Sequence, residues 1–116
     1  MKKSPLTAQR RCFNDYRCRS TARGMDFKLT YDEALVLFLG SCYYCGVPPF
    51  QTKKYRGRTF TYNGIDRVDN LQGYTNTNTV SCCRICNVAK NQMGQQDFLK
   101  WVEQVYLRLD VTMGFR

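Results

Sequence analysis

Histidine is absent from all 116 residues. That removes the side chain that most often activates water near neutral pH, so any hydrolytic chemistry has to rest on other groups. Acidic residues are also scarce, nine Asp and Glu against eighteen Lys and Arg, for a formal net charge of +9. No stretch approaches the roughly 20 apolar residues of a membrane span. The N-terminal "MKKSPLTAQRRCFNDYRCRS" lacks the apolar run of a signal peptide. Repeats, linkers and a composition break are missing too, so residues 1–116 read as a single soluble domain.

What is abundant is cysteine and positive charge. Seven cysteines form an odd set behind no signal peptide, which speaks for a reducing, cytoplasmic compartment and a metal site over a secreted disulfide scaffold. Cys42 with Cys45 and Cys83 with Cys86 are two C-x2-C pairs, and each tight turn aims two thiolates at one point, the pattern of a structural tetrahedral zinc site. Cys82 substitutes for Cys83 only if the second knuckle is C-x3-C, so Cys83 is preferred. Cys12 and Cys18 lie six apart, off a common helix face, and read as packing residues.

The charge falls in two clusters. Residues 1–30 carry Lys2, Lys3, Arg10, Arg11, Arg17, Arg19, Arg23 and Lys28 against Asp15 and Asp26, and "KKYRGR" adds Lys53, Lys54, Arg56 and Arg58. Two clusters on so short a chain exceed what solubility requires and point to a polyanion, with DNA the leading partner and RNA open. A basic membrane-surface helix fits less well, because the N-terminal segment lacks a broad Leu/Phe/Trp face.

Along the chain, residues 6–23 read as a helix ended by Gly24. "LTYDEALVLFLG" reads as a second helix, with a Thr30/Glu33 capping box at its start and Gly40 at its close. Residues 41–63 suggest a zinc knuckle, a basic loop and a short strand near 59–62. "GIDRVDN" reads as another strand and "TNTNTVSCC" as an irregular loop. From 95 to 110, Phe98, Trp101, Val102, Val105, Tyr106 and Leu109 make a helical apolar stripe expected to bury Trp101 in the core.

From Cys42 to Lys90 the ordered set C-x2-C, "IDR" at 65–67, "GYT" at 73–75, Asn78 and C-x2-C-N-x2-K resembles the HNH or His-Me finger endonucleases, in the four-cysteine form of small phage and mobile-element proteins and of the recombination endonuclease VII family. The resemblance implies an α+β fold: a zinc-braced ββα-metal core at 41–94 between a basic helical extension at 1–40 and a C-terminal helix at 95–110. It implies that Asp66 and Asn87 hold one catalytic Mg²⁺ or Mn²⁺, and that Asn78 ties the hairpin loop. The ββα helix is expected from Asn87 to about Met93 or Gly94, with Lys90 on its exposed side reaching a phosphate. Some members dimerise, so a homodimer is also implied.

The family's histidine falls on Arg67, which stays protonated and cannot serve as a base, though it can neutralise a phosphate. Asp69, three residues after Asp66, is the substitute base to consider. Tyr43, Tyr44 and Tyr55 are open between base stacking and packing near the zinc. Plainer uses stand beside these roles: Asp66 and Asp69 as turn caps, and Asn87 as a helix cap. The implied activity is divalent-metal-dependent hydrolysis of DNA phosphodiesters. An inactive zinc module that binds DNA or RNA is one alternative, and a structural zinc finger that binds other proteins is another.

Overall fold

The computed structural model describes residues 7–114, so Lys2 and Lys3 of the N-terminal cluster lie outside the described residues. Helix α1 (Ala8–Ala22) begins where the Thr7 hydroxyl accepts from the Arg10 N–H at 3.0 Å, and Ala8, Cys12, Phe13 and Ser20 form its buried side. Helix α2 (Tyr31–Leu39) carries the expected reciprocal cap: Thr30 accepts from the Glu33 N–H at 3.1 Å, and the Glu33 carboxylate accepts from the Thr30 N–H at 2.9 Å. The two helices pack on an antiparallel hairpin, β1 (Gln51–Tyr55) and β2 (Arg58–Tyr62), paired from Gln51 with Tyr62 to Tyr55 with Arg58.

That hairpin corrects the basic loop expected at 53–58. Arg56 and Gly57 both have positive φ, 51° and 75°, which is the two-residue turn that matches strand twist. The lysines before it are strand residues, because Phe60 and Tyr62 on the partner strand supply the buried face that holds the pairing.

A second two-stranded sheet follows, β3 (Gly64–Arg67) with β4 (Thr79–Cys82), in register Gly64 with Cys82 through Arg67 with Thr79. The stretch "TNTNTVSCC", expected as loop, thus contributes a strand at its end. Its own sequence has little β-forming alternation; the pairing comes from the folded loop between Val68 and Asn78 and from burial of Thr79 and Cys82. Gly64 is required by its surroundings, since a Cβ there would stand 2.6 Å from the Tyr16 hydroxyl.

Helix α3 (Arg84–Lys90) starts earlier and ends sooner than expected. Cys83 caps it, the sulfur accepting from the Cys86 N–H at 3.4 Å, so Asn87 sits within the helix and is not its cap. Helix α4 (Gln95–Met113) runs past the expected end at 110. Only Phe98 of α4 is buried, and Trp101 is 46 % exposed, which corrects the expectation that Trp101 fills the core. The apolar stripe exists, and Val102, Val105 and Tyr106 along it are exposed.

The apolar core is aromatic. Phe38 has no exposed surface and meets Phe60 and Tyr62 edge to face at 6.0 and 5.6 Å and Tyr16 at 5.5 Å, while Phe13 packs on Phe27 and Tyr31. Cys12 belongs to this core, whereas Cys18 is exposed and outside it, contrary to expectation. Among the described residues no helix is long and apolar enough to cross a membrane.

Candidate metal centre and groove

Four sulfur atoms, from Cys42, Cys45, Cys83 and Cys86, lie within 4.8 Å of one another. Zinc at about 2.3 Å from each of four tetrahedral thiolates gives comparable sulfur spacings, so the donor set fits a structural zinc ion. The first knuckle closes locally: Gly46, at φ 79°, donates to the Cys42 carbonyl, and Cys42 N–H donates to Val47. The Tyr43 N–H then fastens the knuckle to Ser81 of β4 at 2.8 Å. Burial opposes ionisation of Cys42, but the Cys83, Cys45 and Tyr44 N–H groups outweigh it and lower its thiol to about 6. Cys82 is adjacent to the four but is not one of them. Its thiol is buried and pushed up, first by desolvation and then by the nearby Asp66 charge, so it stays a neutral packing group.

On the other side of this cluster, β3 and α3 bring Asp66 and Asn87 to one groove of about 1130 Å³, whose lining includes Arg19, Arg23 and Arg67. Asp66 is nearly buried. Its Oδ2 accepts from the Tyr44 hydroxyl at 2.8 Å, and both carboxylate oxygens meet the Lys90 ammonium, Oδ1 at 3.2 Å and Oδ2 at 3.1 Å. Tyr44 is packed edge to face on Phe98 at 5.2 Å, so the start of α4 holds the phenol in place. Desolvation, together with the Asp66 carboxylate that accepts its proton, raises the Tyr44 phenol, leaving it a neutral donor.

Neighbouring groups take supporting positions. Asn78 closes the β3–β4 loop with every polar atom of its amide: Oδ1 accepts from the Asp69 N–H at 2.9 Å, and Nδ2 donates to the carbonyls of Asp69 and Gly73. The Asp69 carboxylate is taken up by its own turn, accepting from the Leu71 N–H at 2.9 Å and from Gln72 Nε2 at 3.0 Å. Arg67 donates to the carbonyls of Asn70 and Gln72 and lies 5.4 Å above the Tyr74 ring, with part of its surface still lining the groove.

Lys90 is not on the exposed side of α3. Its side chain has no exposed surface, because its position four residues after Cys86 turns it inward over β3.

The basic residues divide. Arg19 joins the groove, as does Arg23 from the same cluster. Arg10, Arg11 and Arg17 lie over Tyr31, Tyr55 and Phe13 at 4.1, 5.6 and 5.4 Å. Lys53 is ion-paired with Asp15, while Lys54, Arg56 and Arg58 are exposed on the hairpin. The Tyr44 contact was not read from the sequence. Its one signal was its place inside C-Y-Y-C, which a metal knuckle would carry to wherever the second knuckle goes.

An antiparallel strand pair, a helix packed on it and a four-thiol brace make this α+β chain a bearer of the HNH endonuclease fold. It is similar to the rare-cutting HNH restriction endonuclease PacI, with a TM-score of 0.65 over 99 % of this chain and 87 % of that one, at 19 % identity. No family model matches the sequence. Over 84 residues, 72 % of this chain, it is 36 % identical to an uncharacterized protein of Acanthamoeba polyphaga mimivirus, and it spans 14 % of that relative's length.

Proposed function

We propose that the protein is a divalent-metal-dependent endonuclease that hydrolyses DNA phosphodiesters. The observation that carries this reading is the meeting of Asp66 and Asn87 in one groove with three arginines, next to a brace that fixes both elements. A carboxylate and an amide offer oxygen donors, the hard ligands that suit Mg²⁺ or Mn²⁺, so the residues present fit such an ion. Bound there, it supplies charge neutralisation at the phosphate and the leaving oxygen.

The chain's own groups do the rest. Arg19, Arg23 and Arg67 hold phosphates along the groove, and the exposed Lys54, Arg56 and Arg58 extend the grip in a salt-dependent way. With no histidine, and with both Asp69 oxygens held by the turn, the ionisable hydroxyl placed at the metal-binding carboxylate is that of Tyr44. In this reading the Tyr44 hydroxyl, donating to Asp66 Oδ2, orients that carboxylate toward the metal, Asp69 shapes the loop, and Asn78 locks it. The exposed stripe of α4 is assigned to a homodimer contact, which sedimentation at several concentrations checks.

The test is nicking of supercoiled plasmid with Mg²⁺ or Mn²⁺. Asp66→Asn, which leaves Lys90 an oxygen acceptor, and Asn87→Ala should abolish cleavage while retention on DNA persists, and Tyr44→Phe should lower the rate by about 10-fold or more while Asp69→Asn leaves it within a few-fold. Salt-sensitive DNA or RNA binding with no cleavage under either ion would instead identify a binding module. Binding to neither nucleic acid at physiological salt would leave a protein-interaction zinc finger.

A further inference from the structure

Lys90 is the lysine that lies wholly in the interior of the described chain. An ammonium has three protons, and here three acceptors surround it: Asp66 Oδ1 at 3.2 Å, Asp66 Oδ2 at 3.1 Å and the Arg67 carbonyl at 3.1 Å. It reaches the carboxylate from the protein side, while the same carboxylate lines the groove. A buried charge of this kind persists only with a partner, and Asp66, almost as buried, needs one equally. The pair ties the end of α3 to β3, the two elements that carry Asn87 and Asp66.

We infer that Lys90 is the resident counter-ion of the divalent-metal site: its ammonium neutralises Asp66 when no divalent ion is bound, and a metal ion must bind against it. The inference rests on the metal-dependent reading above. Its physical basis is that a divalent cation on Asp66 would share that carboxylate with a positive charge already within 3.2 Å of both oxygens, in surroundings where water screens little. The lysine thus keeps the acidic site folded in the metal-free chain at the expense of metal affinity.

The experiment compares zinc-loaded wild type, Lys90→Gln and Asp66→Asn by calorimetric titration with Mn²⁺ and by melting with and without it. Glutamine keeps a donor toward Asp66 and removes the charge. Lys90→Gln should bind Mn²⁺ at least tenfold more tightly than wild type, melt lower without the ion, and gain more from saturating Mn²⁺ than wild type does. If Lys90→Gln is unfolded without metal, Mn²⁺ should fold it, as followed by far-ultraviolet circular dichroism; a variant that stays unfolded at millimolar Mn²⁺ overturns the inference. Wild type that binds Mn²⁺ through Asp66 and nicks plasmid, beside a Lys90→Gln variant that binds it equally or more weakly, overturns the lysine role and leaves the nuclease reading intact. Mn²⁺ binding by neither protein, with Asp66→Asn indistinguishable from them and no cleavage, overturns both.

Discussion

The helical half of the molecule and the ββα half are held by different forces. Around α1, α2 and the first hairpin, Phe13, Phe38, Phe60, Tyr16 and Tyr62 pack ring against ring, and burial of apolar surface does most of the stabilising. Around β3, β4 and α3 the interior is polar: four thiols, the Asp66–Lys90 pair, Asn78 in its loop, and Asn63, whose Nδ2 bridges the carbonyls of Gly40 and Val47. Ile65 is the large aliphatic side chain buried there. Polar contacts exchange for water at little net gain, whereas each one left unmade is expensive. A half built this way is specific in geometry but weak in driving force, so an ion on its four thiols would supply much of what holds it.

Metal removal should therefore break the comparison most sharply. Structural zinc sites supply on the order of 10 kcal/mol of folding free energy, more than a domain this size has to spare. Chelation, or Cys83→Ala, which also removes the cap of α3, should strip amide-exchange protection from β3, β4 and α3 first, while α1 and α2 retain part of theirs. Uniform protection in both halves after verified metal loss would contradict the division.

Phe38→Ala attacks the other half. A fully buried ring in contact with three others should cost about 3–5 kcal/mol, read as a lower urea midpoint. Because the thiol cluster is not part of that packing, bound zinc should be retained at the native stoichiometry under native conditions. Asn78→Ala comes next. It removes one acceptor and two donor bonds, leaving the Asp69 N–H and the Asp69 and Gly73 carbonyls without that partner. The expected loss is about 2–3 kcal/mol, with the exchange protection of Val68, whose N–H donates to the Asn78 carbonyl, falling before that of the core.

The same division explains what the sequence made legible. Local chemistry was readable: the Thr30/Glu33 box, the glycine past α1 and the two cysteine pairs each declare themselves within a few residues. The choice of Cys83 over Cys82 followed from knuckle spacing and agrees with the observed cluster. Features that depend on partners far along the chain were not readable. Strand β4 forms because β3 is there; Tyr44 meets Asp66 across 22 residues of separation, and Lys90 across 24. A lysine in the last turn of a short helix looks solvated by composition, and only the position of Asp66 reverses that. Asp69 shows the converse: spacing suggested a base, and the fold adds that its carboxylate also accepts from Leu71 and Gln72 in its own turn.

Helix α4 belongs to neither half, and Trp101 is where that can be measured. The ring lies 6.3 Å from Phe98, tilted by 32°, with nearly half of its surface in water. Phe98 is buried and also holds Tyr44, so Phe98→Ala should cost about 3 kcal/mol and disturb the groove. Trp101→Ala should cost less than Phe98→Ala, about 1 kcal/mol in dilute protein, because nearly half of what it removes is already hydrated. Melting at two protein concentrations sharpens the test: a second copy packed on the stripe makes the native state a dimer, and the cost of losing Trp101 then grows with concentration. A large cost at every concentration would mean that α4 docks against the chain beyond Phe98, and that its exposed stripe is closer to core than to surface.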